Sequence, residues 1–427
     1  MTDHVLEAEA EVATPSQPKS LLGKIAGLIS SQPLLIAQMF MSASGAGAMV
    51  MAAAAMQAAE FVTFSLLTLV TVTLIGAVRS VLFQPALIEM RQNSDSHIHV
   101  RTALIGALVA SGIFAAAAFA LGVRQPLWLA VLALTNVLPI AAEWLRIRGM
   151  ALDERVSVMR SDGLRFAATM FGVVVLFFST DALVFTLFVN LTYLITVGYL
   201  ALRLPAVSAH ASPLAFWRPA SAQLADFSFG QAVSTIPLLV LGGFGPSVYI
   251  GGLRLAQTLL GPLNMVLSAA AVNLLADGAT KESHADPREL IRRGRKLALG
   301  LGILSPTLVL ALLAFLMMTG FSFRGVDNRS LIVGVALVGA LFTTSGLGLV
   351  DTFIVRLLGH HAGPTVGRIL LVIVTGTAYL WGYHVGGTDS SLIYGFLVGA
   401  IANPVFFSLP AAVLYRRYKA GTLTAAP

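Results

Sequence analysis

The amino-acid sequence predicts an all-α, polytopic integral membrane protein of about twelve transmembrane helices in two six-helix lobes, and three observations carry that prediction. Twelve apolar runs divide the 427 residues, and most reach the roughly 20 residues a helix needs to cross a hydrocarbon core. The connections between the runs alternate in Lys and Arg content. Of the 27 cations, 23 fall in the termini, in the even-numbered connections or at their membrane edges, whereas only Arg124, Arg324 and Arg329 fall in the odd-numbered ones and Arg254 lies inside a run. The positive-inside rule then puts both termini in the cytoplasm and requires an even number of spans. Composition agrees: with 57% hydrophobic and 11% charged residues, the chain has too little polar surface to cover a water-soluble body of this size.

Residues 1–20 carry Asp3, Glu7, Glu9 and Glu11, then Pro15 and Pro18, without an apolar segment; they read as a disordered cytoplasmic tail, the first span serving as insertion signal. Six runs follow at roughly 33–56, 61–83, 102–122, 126–147, 164–180 and 182–202, forming an N-terminal lobe over 21–204. Two cytoplasmic connections read as long: Arg148 to Gly163, and a proline-containing linker over 205–224 with Pro205, Pro213 and Pro219. The linker falls near mid-chain. Six more runs, at about 227–244, 246–276, 297–319, 331–355, 365–384 and 391–415, give a C-terminal lobe over 225–416 and leave 417–427 as a cytoplasmic tail. A six-plus-six division suggests a repeated transporter with its ligand between the halves. Weak internal similarity of 61–76 to 246–261 pairs Phe64 with Tyr249 and Gly76 with Gly261. Pro139, Pro237, Pro262, Pro306, Pro404 and Pro410 interrupt the apolar runs, where a missing donor bends a helix.

No catalytic pattern is present: there is no HExxH, GxSxG or Gly-rich phosphate loop before a Lys, and the eight His are scattered, so an enzyme, a metal site and a cofactor are not expected. The pI near 9.9 reports loops beside anionic lipid head groups, not nucleic acid. Ionisable groups inside the bilayer cost several kcal/mol unless they meet a partner or a wet cavity. Arg254 lies eight residues into span eight, roughly 12 Å along a helix, with no acid expected at its depth. A phosphate would match its planar fork; the bland alternative is that it snorkels to the head groups. Gln257 and Asn264 share its face, so Arg254, Gln257 and Asn264 form the expected ligand stripe. Arg79, Glu143, Arg146, Asp277 and Arg356 lie near the expected cytoplasmic surface, where Glu143 and Arg146 are spaced to pair on one helix. Asp351 is the carboxylate that ion coupling would use. Gln38, Asn136, Asn190, Gln231, Asn273 and Asn403 either line a polar path or join helices, at about 0.6 to 2 kcal/mol each.

Four stretches, RLAQTLLGPLN (254–264), EFVTFSLLTLV (60–70), AVRSVLFQPALI (77–88) and EWLRIRGMALDERVSVMRSDGLRF (143–166), resemble O-antigen and teichoic-acid export proteins. These form the polysaccharide-transporter branch of the MOP exporter superfamily, which also holds lipid II flippases and MATE drug exporters. The resemblance implies a V-shaped bundle that flips a lipid-linked oligosaccharide across a bacterial cytoplasmic membrane by alternating access. It also implies a cationic central cavity for the pyrophosphate, where Arg254 and Arg79 are the matching positions. The expected partners are an anionic lipid-linked glycan, membrane lipids and glycosyltransferases of the same pathway. Two alternatives stand beside this reading: a MATE-type drug/cation antiporter, which needs acids in one lobe's cavity whereas Glu60 and Asp181 read as loop residues, and a non-transporting scaffold of a glycan-assembly complex.

Overall fold

The computed structural model describes residues 33–83, 100–176, 180–205, 224, 227–244, 248–263, 287–357 and 362–420. The expected tail over 1–20 and nearly all of the linker lie outside them. Among the described residues the elements are helices: α1 Pro33–Ala55, α2 Ala58–Val78, α3 Val100–Ala120, α4 Pro126–Thr135, α5 Val137–Ala151, α6 Arg155–Leu176, α7 Ala182–Arg203, α8 Ile236–Phe244, α9 Val248–Leu259, α10 Pro287–Thr319, α11 Asn328–Leu357, α12 Ala362–Phe406 and α13 Ser408–Lys419. One isolated bridge, Phe323 to Val326, is the only β pairing among these residues.

Eight stretches of the described residues are long and apolar enough to cross a membrane. The last of them, Gly363–Arg417, is 55 residues long and holds two crossings, because α12 folds back at Gly386 and Gly387. Gly387 takes φ 70° there, a left-handed value that a residue without Cβ adopts freely. The two arms are then clasped by the Ser391 hydroxyl donating to the Tyr379 carbonyl at 2.7 Å. Leu104, Leu108, Phe171, Leu310, Met317 and Trp381 face outward, as lipid-facing side chains do.

Prolines cut the helices three or four residues upstream of themselves. Pro139 follows the break between α4 and α5 at Asn136, Pro237 the turn at Val233 to Thr235, and Pro410 the end of α12 at Phe406. The cause is local: proline has no N–H for the carbonyl four residues back and its ring crowds that carbonyl. Pro306 and Pro404 stay inside continuous helices. One expected loop is absent. Arg148 to Gly163 is almost wholly helical, since α5 runs to Ala151 and α6 starts at Arg155; two of its charges are buried with partners, Arg148 donating to the Pro205 carbonyl and Asp162 pairing with Arg146. Glu60, likewise expected in a loop, sits in the first turn of α2 and accepts from the Ala182 N–H at 3.0 Å.

Packing resolves two lobes. In the first, α1 lies along α6, α7 packs on α5 and α6, and α3 touches α2, α4 and α5; in the second, α11 is central, against α9, α10 and α12. Glycines permit the tightest of these contacts: a Cβ on Gly334 of α11 would stand 2.6 Å from the Gly252 carbonyl oxygen of α9, the small-residue packing common between membrane helices. The lobes join where α9 meets α1 and α2, and α8 meets α2. At the end carrying the short turns around Gly122 and Gly320 this joint is closed. The Gly325 N–H donates to the Ala53 carbonyl at 2.7 Å, and Phe61, Phe64, Ile250, Leu253 and Val326 bury one another.

Candidate functional site

Between the lobes, in the half that carries the basic helix ends, lie two adjoining chambers. One, of about 610 Å³, belongs mainly to the first lobe and is lined by Gln38, Arg79, Glu143, Arg146, Arg165, Thr169, Asn190 and Tyr193. The other, of about 640 Å³, belongs mainly to the second lobe and is lined by Gln257, Ser345, Thr352, Arg368 and Asn403. Val72, Phe227, Gln231 and Arg254 line both. Arg254 therefore stands at the partition of the cavity, on α9, which touches both lobes.

Arg254 is 8% exposed and does not reach a surface. Its Nη1 donates to the Gln257 amide oxygen at 2.6 Å, the contact that their spacing of three on one helix face permits. Its Nε has no acceptor, and no carboxylate ion-pairs with it among the described residues. Gln257 thus orients the guanidinium as well as lining the chamber. Asn264, expected to continue this stripe, lies outside the described residues, as does Asn273.

The first-lobe chamber carries a charge network. Glu143 sits between two guanidinium groups, Arg79 Nε at 2.8 Å and Arg146 Nη1 at 2.8 Å. Arg146 continues to Asp162 on α6, through Nη2 at 2.9 Å and Nε at 3.0 Å. The expected pairing of Glu143 with Arg146 is present, but these groups are buried in the bundle, not solvated at its rim. Arg79, placed on a π-helical turn over Arg79–Phe83 that ends α2, faces the chamber as an ion-paired residue. The Arg165 guanidinium carbon sits over the Tyr193 ring, 3.7 Å from its centroid. Asp351 lines neither chamber; it accepts from the Tyr415 hydroxyl at 3.0 Å, and Arg295 sits over that ring.

Sequence reading placed Arg254 and Arg79 at the cavity and passed over Arg146, Arg165 and Arg368. The missed signal was periodic: Asp162, Arg165 and Thr169 follow at three and four, one stripe of a helix. Among the polar residues, Gln38, Asn190, Gln231, Gln257 and Asn403 line the chambers, whereas Asn136 accepts from the Thr71 hydroxyl at 3.0 Å and joins helices.

No family model matches the chain and no curated protein resembles it in sequence. Solved structures do resemble it in fold. An inward-facing multidrug-resistance MATE family transporter of the MOP superfamily matches with a TM-score of 0.55 at 14% identity, over 93% of this chain and 100% of its own. MATE in the straight conformation gives 0.54 at 13% identity, over 93% and 97%. The lipid II flippase MurJ, in an inward closed conformation, gives 0.58 at 10% identity, over 92% and 93%. The chain shares the two-lobe helical fold of these structures.

Proposed function

We propose that this protein flips or exports a lipid-linked oligosaccharide carrying phosphate, by alternating access, in a bacterial cytoplasmic membrane with both termini cytoplasmic. The observation that carries the reading is Arg254, buried between the two chambers with its Nε lacking an acceptor. A buried guanidinium without a counter-charge is costly, and an anionic head group entering the cavity removes that cost with two parallel hydrogen bonds. The remaining lining agrees in sign. Arg79, Arg146, Arg165, Arg254 and Arg368 face Glu143 alone among the carboxylates lining the chambers, the opposite of what a cationic drug requires. A MATE-type antiporter is therefore the weaker alternative. Among the similar structures, the lipid II flippase names a lipid-linked substrate.

The test is export of a lipid-linked glycan in a strain that depends on this gene. Arg254→Gln keeps polarity but deletes the charge, and export should fall at least tenfold with membrane protein level unchanged. Arg254→Lys should restore only part, because a point charge lacks the fork. Normal export by the Gln variant would remove the phosphate contact, and it is the outcome that a non-transporting scaffold predicts.

A further inference from the structure

The arginines that the first lobe itself sends to its chamber outnumber the carboxylates paired with them by one. Arg79 and Arg146 are matched by Glu143 and Asp162. Arg165 is left over: it is 4% exposed, its Nε and Nη1 have no acceptor, and no carboxylate ion-pairs with it among the described residues. Beside it in the chamber lining, Asn190 is 2% exposed with an orphaned Nδ2. These unpartnered atoms are donors. A ligand that satisfies them must bring acceptor oxygens, and one that also offsets the guanidinium must bring negative charge.

The local structure holds these donors in place. Arg165 is on α6 and Asn190 and Tyr193 are on α7, two helices in direct contact. The Tyr193 ring, one turn beyond Asn190, supports the guanidinium from one face, a stacking that leaves the in-plane N–H groups available. Leaving a buried donor without an acceptor forfeits its hydration with nothing in return. Arg165 Nε and Nη1 and Asn190 Nδ2 are three such donors in one chamber wall; the unpartnered Oδ1 of Asp162, one turn away on α6, acts on Arg165 through charge without a hydrogen bond.

We infer that Arg165 and Asn190 form a second oxyanion subsite in the first lobe, separate from Arg254 of the second lobe, which binds a second negative group on the cargo. The inference rests on the transport reading above and narrows it. Arg165 of the first lobe and Arg254 of the second then each meet one oxyanion, and the cargo is an amphiphile with two acidic groups. The second oxyanion is a phosphoryl of a diphosphate linkage or the carboxylate of an acidic sugar.

Purified protein in detergent, titrated calorimetrically with inorganic pyrophosphate and with glucuronate, tests this. Wild-type protein should bind at least one probe; Arg165→Gln should weaken that binding at least tenfold, Asn190→Leu a few-fold and Arg165→Lys to an intermediate degree, all three remaining monodisperse. Loss confined to pyrophosphate identifies a diphosphate as the source, and loss confined to glucuronate an acidic sugar. Wild-type affinity in Arg165→Lys, Arg165→Gln and Asn190→Leu, or no binding of either probe by the wild type, overturns the subsite. If Arg254→Gln loses binding while the Arg165 and Asn190 variants keep it, the subsite falls and the Arg254 contact stands. The reverse pattern removes the Arg254 contact and keeps the subsite.

Discussion

At the scale of single residues, Glu143 holds the greatest electrostatic responsibility in the first lobe. Its side chain is 4% exposed and meets both Arg79 and Arg146. Removing one partner from a buried network leaves an uncompensated charge, which typically costs about 3 to 5 kcal/mol. Glu143→Gln should therefore lower unfolding stability in detergent by about 3 kcal/mol. Arg79→Gln should cost under about 1 kcal/mol, because that side chain is 30% exposed and water screens it. Equal losses in the two variants would show that burial does not govern the network. The pairing of Glu143 with Arg146 was legible from their spacing on one helix. Arg79 and Asp162 were not, since they arrive from α2 and α6 and nothing in a linear pattern states which helices become neighbours.

At the scale of elements, glycine and proline determine where helices approach and where they bend. The α9 to α11 contact depends on Gly252 and Gly334, where backbone meets backbone and cannot give way. Gly334→Leu should separate these helices and yield aggregated or poorly inserted protein on size exclusion, whereas Gly45→Ala, which has open space around its Cβ, should behave as wild type. A monodisperse Gly334→Leu protein of unchanged stability would contradict the close packing. Proline positions in the sequence located the breaks near Asn136 and Phe406, because the steric cause lies within four residues. The same local reasoning misread Arg148 to Gly163: a run rich in charge looks like a solvated connection. Here Asp162 pairs with Arg146 and Arg148 donates to the Pro205 carbonyl across the bundle, while Asp153, Glu154, Arg155 and Arg160 stay exposed at the short turn and on the outer face of α6, so the helices continue through it.

For the whole molecule, the closed joint at Ala53, Phe61 and Gly325 and the chambers in the basic half correspond to one state of the proposed alternating-access cycle. The chain contains no cysteine, so a single one at Thr73, which lines the second-lobe chamber, reports which face reaches the cavity. Thr73→Cys should react with a membrane-impermeant maleimide from the cytoplasmic side and not from the other. Adding Gly325→Leu, whose Cβ would stand 2.8 Å from the Phe61 Cβ, should loosen the closed end and admit reagent there. Labelling of the single variant only from outside would reverse the proposed orientation. Labelling from both sides would contradict the closed joint.

By itself the sequence determined the all-helical membrane class, the twelve apolar runs, most of the proline breaks and the isolation of Arg254. Each follows from properties carried along the chain: hydrophobic length against bilayer thickness, the missing proline donor, a charge with no acid near it in its own span. Tertiary structure alone decided that Glu143 and Asp162 absorb Arg79 and Arg146, that Arg165 is left with orphaned donors beside Asn190, and that Arg254 stands at the partition of two chambers. Those outcomes depend on which helix faces meet across the bundle. The packing that brings them together comes from small residues and shape, and in an apolar chain lipid-facing and protein-facing stripes look alike.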